Sequence, residues 1–165
     1  MQTQLKEKLW AFIVHNNPEL MFNLQEDYSV TSYLDSKIKD IMPLAEQLLS
    51  ENRPDYVVEE LCLEQMTEEL KPSRYHYLLS ILEEEFSADY ERLRESGTLT
   101  YEVVNLIAYC KDIFDGYGFN AAKPVIRKRG RLYSHKGIVR MKNVWIWLTI
   151  FQKNYRTISG RSESP

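Results

Sequence analysis

Residues 54–86 read PDYVVEELCLEQMTEELKPSRYHYLLSILEEEF, and this stretch decides the fold. Apolar residues recur every three or four positions on both sides of Lys71-Pro72-Ser73, which is the period of an amphipathic helix. Pro54 suits the first turn of a helix, and the hydroxyl of Ser73 can cap the next helix. The stretch therefore predicts two successive helices with buried faces. The first face carries Val57, Val58, Leu61, Cys62, Met66 and Leu70, and the second carries Tyr77, Leu78, Ile81, Leu82, Phe86 and Tyr90.

The helical period continues toward the N-terminus. A first helix is predicted at residues 3–16, because its apolar residues share one face and a proline follows it. In residues 18–28 apolar and polar side chains alternate only briefly, so the secondary structure of this stretch stays ambiguous. A second helix begins after a cap at Ser29 or Thr31, and Pro43 within it either kinks the helix or divides it in two.

The period also continues toward the C-terminus. Gly97 suits the left-handed backbone conformation that commonly ends a helix. Thr98 or Thr100 then caps a fifth helix. That helix ends at a turn over residues 115–118. Gly and Pro are sparse, at six each in 165 residues, which favours helices over a turn-rich β fold. The predicted fold is all-α: a compact bundle of about five antiparallel helices joined by short loops, followed by a basic C-terminal segment of uncertain structure.

Charge divides the chain into two predicted parts. Residues 1–120 carry ten Lys and Arg against 23 Asp and Glu, a net charge of −13, whereas residues 121–165 carry eleven Lys and Arg against one Glu, a net charge of +10. An asymmetry this sharp indicates parts with different partners. We therefore predict an acidic helical domain at 1–120 and a basic aromatic tail at 121–165 that docks on the bundle or stays separate from it.

The basic tail has several open interpretations. Its cations alternate with five aromatic residues, a composition that suits phosphate attraction and base stacking or an anionic membrane surface. Equally, it can fold back onto the acidic bundle, stay free, or result from a shifted reading frame. Residues 131–143 show no clean period, and 144–151 fit a helix or a strand. The candidate nucleic-acid contacts are Arg127, Lys128, Arg129, Arg131, Lys136 and Arg140.

Three segments carry a family resemblance: Glu59-Glu60-Leu61, Pro72-Ser73-Arg74-Tyr75 and Ile81-Leu82-Glu83-Glu84-Glu85-Phe86. In these residues the chain resembles the eighteen-ninety-six series of small bacterial domains of unknown function. That family is common in gut and oral anaerobes and often accompanies conjugative elements. The resemblance is strongest at residues 54–86 and extends in architecture over 1–115. It implies an all-helical fold and brings neither an assigned activity nor catalytic residues.

Chemical motifs are missing from the sequence. The carboxylates of residues 83–85 spread over about 200° of a helix and cannot converge on one ion. The three histidines stand apart without metal-ligand spacing, and Cys62 and Cys110 have apolar neighbours that indicate buried thiols. We expect no catalytic residue, no cofactor and no metal.

The functional expectation follows from these features. The sequence predicts a non-enzymatic helical module that binds an unknown protein partner or a second copy of itself. The alternative is a nucleic-acid-associated accessory protein of a mobile element that uses the basic tail. The longest apolar run, residues 144–151, is too short for a transmembrane helix, and two cysteines without a motif favour a cytoplasmic setting.

Overall fold

A computed structural model describes residues 1–117, 126–128, 131–134 and 137–140. These residues form eight α-helices, one short 3-10 helix and three β-strands. The helices are α1 (Gln2–Asn16), α2 (Pro18–Glu26), α3 (Val30–Ser50), α4 (Asp55–Thr67), the 3-10 helix (Glu68–Leu70), α5 (Arg74–Glu85), α6 (Ser87–Glu95), α7 (Leu99–Tyr109) and α8 (Lys111–Tyr117); the strands are β1 (Ile126–Lys128), β2 (Arg131–Ser134) and β3 (Gly137–Arg140).

The core lies where α1, α3 and α4 contact one another. Leu5, Leu9 and Ile13 recur every four residues on α1 and are completely buried, because this spacing places them one above another on a single helix face. They pack against equivalent stripes of the other two helices. The stripes are Ile38, Ile41, Ala45 and Leu48 on α3, and Val58, Cys62 and Met66 on α4.

The all-α class is confirmed for residues 1–117, but the helices divide more finely than predicted. The ambiguous residues 18–28 are mostly helix α2, while α3 runs through Pro43 as one helix. The predicted fourth helix divides at Phe86, whose backbone (φ −133°, ψ 44°) leaves the helical region between α5 and α6. The turn predicted at residues 115–118 is partly wrong, because α8 extends to Tyr117.

One leucine expected on a buried face lies outside it. Leu61 on α4 is 39% exposed. Helix α4 itself carries apolar residues on most of its sides, so their spacing alone does not show which of them face the core. The same helix buries Val58, Cys62 and Met66 as expected.

The predicted helix cap at Gly97 is confirmed. Gly97 has a φ of +72°, a conformation that glycine adopts without steric cost. Its N–H donates to the Arg94 carbonyl and the N–H of Thr98 donates to the Leu93 carbonyl, both at 3.1 Å. This pair of bonds is the Schellman arrangement, which satisfies the last carbonyls of α6.

The end of α1 is tied to the start of α5. The Ser73 hydroxyl accepts a hydrogen bond from the His76 N–H at 3.0 Å, which confirms the predicted cap, and it also donates to the Asn16 carbonyl. Asn17 adds a second link, since its side-chain amide donates to the Leu70 carbonyl at 3.2 Å. The Lys71–Pro72 peptide between these residues is cis. One serine side chain thus connects chain segments that are 57 residues apart.

The basic segment contributes a small antiparallel sheet with strand order β1-β2-β3. In its register, Ile126, Arg127 and Lys128 of β1 pair with Tyr133, Leu132 and Arg131 of β2, and Arg131, Leu132, Tyr133 and Ser134 pair with Arg140, Val139, Ile138 and Gly137 of β3. The sequence had left the structure of this segment open. Residues 144–151, for which a helix and a strand were both considered, lie outside the described residues.

The chain clusters into two compact units, Met1–Val104 and Asn105–Pro165. The boundary predicted between residues 120 and 121 lies outside the described residues. Docking of the basic tail on the helical bundle therefore stays a prediction.

Replacing the serine that links α1 to α5 should destabilise the helical unit. We expect Ser73→Ala to lower the free energy of unfolding by about 2 kcal/mol, because the change removes a helix cap and a second hydrogen bond. The measurement is urea denaturation followed by the helical circular dichroism signal. Ser80→Ala is the matched control, since the Ser80 hydroxyl donates only to the Tyr77 carbonyl within α5. Equal losses in the two variants would contradict the linking role.

Candidate functional site

The outward side of α4 exposes apolar and acidic side chains together. Tyr56 is 72% exposed, Leu61 is 39% exposed, and Glu60 and Glu64 are also exposed. Tyr56, Glu60 and Glu64 are spaced four residues apart and therefore lie one above another, with Leu61 beside them. We call these four residues the α4 stripe.

A groove of about 490 Å³ lies near the C-terminal end of α4. Its apolar floor is made by Ile41 and Met66, and it carries three carboxylates against one ammonium group. Lys37 forms an ion pair with Glu69. The groove is lined by Lys37, Asp40, Ile41, Gln65, Met66, Glu68 and Glu69. Because Gln65 lies one turn beyond Leu61 on α4, the groove adjoins the side of α4 that bears Leu61.

We call the stripe and the groove together the α4 surface. In both parts apolar and acidic side chains occur together: Tyr56 and Leu61 are exposed near Glu60 and Glu64, and the groove is lined by two apolar residues and three carboxylates. The sequence predicted an acidic helical surface, but it counted Leu61 as part of the core. Tyr56 lies outside the predicted buried face, but only the structure shows that it is exposed.

The candidate nucleic-acid contacts are divided between described and undescribed parts of the chain. Arg127 and Lys128 lie in β1, Arg131 lies in β2 and Arg140 lies in β3, whereas Arg129 and Lys136 lie outside the described residues. Four of the six residues therefore belong to one sheet.

The register aligns three of these cations in one row. Lys128 is opposite Arg131, and Arg131 is opposite Arg140. Directly opposed residues of an antiparallel sheet share a face, and so do residues two apart on one strand. The neighbouring row on that face is Ile126, Tyr133 and Ile138, while Arg127 belongs to the other face with Leu132 and Val139.

The three paired positions of Lys128, Arg131 and Arg140 cross two interstrand gaps of about 4.8 Å each, a backbone span of about 10 Å.

The two cysteines are poor nucleophiles in this fold. Both are free and buried, as predicted, and burial raises the pKa of the Cys62 thiol and raises that of Cys110 to about 11. A thiol is reactive as its thiolate, so both are almost fully protonated at neutral pH. Within the described residues, no group of three or more His, Cys, Asp and Glu side chains is arranged to hold a metal ion.

Two histidines that are far apart in the sequence lie in contact in the structure. The rings of His15 and His76 have centroids 5.3 Å apart, with an angle of 52° between their planes. Sixty-one positions separate the two residues, so no local spacing could have predicted this contact. It is a consequence of the link between α1 and α5.

Glu19 lies at the same junction, in the first turn of α2. One oxygen of its carboxylate is buried without a hydrogen-bond partner. Burial raises the pKa of this carboxyl above its usual value of 4.5, although a backbone hydrogen bond, the charge of Arg74 and a hydrogen bond with Asn17 oppose the increase. The ionised form is therefore less favourable in the folded protein than in the unfolded chain.

The raised pKa of Glu19 predicts a pH-dependent effect on stability. A carboxyl whose pKa is higher in the folded state contributes stability below its unfolded pKa and loses that contribution as the pH rises through the folded value. We therefore expect Glu19→Gln to increase the free energy of unfolding more at pH 7 than at pH 4, measured by urea denaturation at both pH values. Glu26→Gln, at an exposed position of the same helix, is the control. An increase in the free energy of unfolding that is the same at both pH values, or the same in the control, would contradict a raised pKa of Glu19.

Among the described residues, no helix combines the length and hydrophobicity that crossing a bilayer requires. No family model, curated protein or solved structure matches the chain. The resemblance of residues 54–86 to a bacterial family stays a prediction.

Proposed function

We propose that the protein is a non-enzymatic helical interaction module whose α4 surface binds a basic protein segment. The observation that carries the proposal is the exposure of Tyr56 and Leu61 on the side of α4 that also exposes Glu60 and Glu64. Tyr56 and Leu61 lie outside the stripe that α4 buries in the core, and their exposed parts are available to a partner.

The two apolar side chains and the carboxylates near them would contribute to binding in different ways. Full burial of an apolar side chain the size of leucine contributes about 1.5–3 kcal/mol, and tyrosine is among the residues that dominate binding energy at interfaces. The surrounding carboxylates accelerate association and select the partner more than they add affinity. The adjacent groove can accept a Lys or Arg side chain of that partner, because its acidic residues outnumber its one lysine.

Charge also distinguishes between the two kinds of partner considered. The net charge of −13 in residues 1–120 would bring like charges together if two copies met at this face, and like charges at an interface are costly. A second protein with an excess of Lys and Arg meets no such repulsion. We therefore favour a basic partner over a homo-oligomer at the α4 surface.

Removing the two exposed apolar side chains of the α4 surface should weaken partner binding strongly. We expect Tyr56→Ser combined with Leu61→Ser to reduce recovery of a basic protein from native cell lysate at least tenfold, as quantified by mass spectrometry with the full chain as bait. The matched control is Val14→Ser combined with Tyr101→Ser, which removes two exposed apolar side chains from other helices. Recovery that is unchanged in the α4 variant, or equally reduced in the control, would contradict the proposal.

A second function is favoured by a separate observation, the row of Lys128, Arg131 and Arg140 in the sheet register. We propose as the alternative that this face contacts single-stranded nucleic acid, with Tyr133 stacking on a base. A role as an accessory protein of a mobile element rests on the family resemblance alone. The two functions use different parts of the chain and can be tested independently.

Nucleic-acid binding by this row should depend on salt. Three phosphate contacts on a single strand predict a loss of affinity of about 20-fold between 50 and 200 mM salt, measured by fluorescence anisotropy with a labelled 30-nucleotide strand and its duplex. Combining Lys128→Gln, Arg131→Gln and Arg140→Gln should remove most of that dependence, and Tyr133→Ala should weaken binding to the single strand more than to the duplex.

The control for this experiment removes the same charge elsewhere in the basic segment. Arg127→Gln, Lys142→Gln and Lys153→Gln together alter one position on the other face of the sheet and two positions outside the described residues. We expect this variant to keep most of the salt dependence. Equal effects of the two triple variants would mean that diffuse charge, rather than the row, attracts the nucleic acid, and would overturn the alternative.

A further inference from the structure

Two imidazole rings meet at the junction of α1 and α5. His15 lies exposed in the last turn of α1, and His76 lies half-buried in the first turn of α5. Their ring centroids are 5.3 Å apart and their planes are inclined by 52°. The pair is open to solvent on the His15 side.

The backbone holds both histidines in place. The Ser73 hydroxyl bonds the carbonyl of Asn16, the residue after His15, and also the N–H of His76 itself. One side chain therefore anchors the main chain at both ends of the pair. A second hydrogen bond, from Asn17 to the Leu70 carbonyl, connects the same two segments.

The ring of His76 is also supported on a second side. The ring of Tyr75 meets it edge-on with centroids 5.4 Å apart, and the Tyr75 hydroxyl lies 3.2 Å from the hydroxyl of Thr100. His76 is thus positioned by Tyr75 as well as by the helix cap. The main chain at both histidines is thus held by hydrogen bonds, and this restraint lowers the conformational entropy lost when the pair binds a ligand.

We infer that His15 and His76 form a two-histidine site for a divalent transition-metal ion of the class of Zn²⁺, Ni²⁺ and Cu²⁺. Imidazole nitrogen suits these ions, whereas Mg²⁺ and Ca²⁺ take oxygen ligands. Two imidazoles bound to one tetrahedral ion with metal–nitrogen bonds of about 2.0–2.1 Å hold their ring centres about 5 Å apart. The observed centroid separation of 5.3 Å is close to that value.

The remaining coordination positions are taken by water. The described residues contain no group of three or more His, Cys, Asp and Glu side chains that would complete a structural metal cage. A site with two protein ligands and several waters exchanges its ion readily and keeps positions free for a further ligand. This chemistry is that of a labile, solvent-facing site, unlike the closed four-ligand sites that stabilise small domains.

The test is a titration of the full chain, carrying no histidine tag, with ZnCl₂ followed by isothermal calorimetry and by the imidazole proton signals in NMR. We expect one ion per chain, with His15→Gln and His76→Gln each weakening binding at least tenfold. His135→Gln is the matched control and should change the affinity less than twofold. MgCl₂ should give no binding.

Two results would overturn the inference: unchanged zinc affinity in His15→Gln, or an equal loss in His135→Gln. His15 is exposed, so its replacement leaves the fold intact and keeps the test valid even where His76→Gln unfolds. Shifts confined to the signals of His15 and His76 on addition of zinc would assign the ion to the pair.

Discussion

Burial of one face of α1 is the constraint on which the helical unit depends. Leu5, Leu9 and Ile13 are completely buried, and α1 contacts both α3 and α4, which also contact each other. Without this face, the buried stripes of α3 and α4 would lose the surface that covers them. Ion pairs of Lys6 with Asp35 and of Lys8 with Glu59 surround the packing, but exposed pairs of this kind contribute little. Apolar packing therefore positions the outer side of α4, where the α4 stripe lies.

The features predicted best from the sequence are those that depend on one residue and its immediate neighbours. Ser73 caps α5 and Gly97 ends α6, as their chemistry requires. The break at Phe86 was missed because neither proline nor glycine marks it, and a short break without such residues has no local signature. Leu61 was misplaced because α4 has apolar residues on several sides, which leaves the phase of the helix undetermined until α1 and α3 are in position.

The candidate sites were predictable to different degrees. The basic residues were recognised from composition, but their alignment in rows was not, because strands of three or four residues contain too few positions to show a period of two. The α4 stripe required knowledge of which side of the helix faces the core. The pairing of His15 with His76 was beyond sequence reasoning altogether, since it depends on a contact between segments that only the folded chain brings together.

The state of the two thiols has a further consequence for how the protein responds to its surroundings. Cys62 and Cys110 are the only cysteines of the chain, and both are buried and unpaired. No disulfide contributes to the fold, and burial keeps both sulfur atoms protonated and shielded from oxidants. Neither cysteine is therefore placed to form a disulfide when the surroundings change from reducing to oxidising.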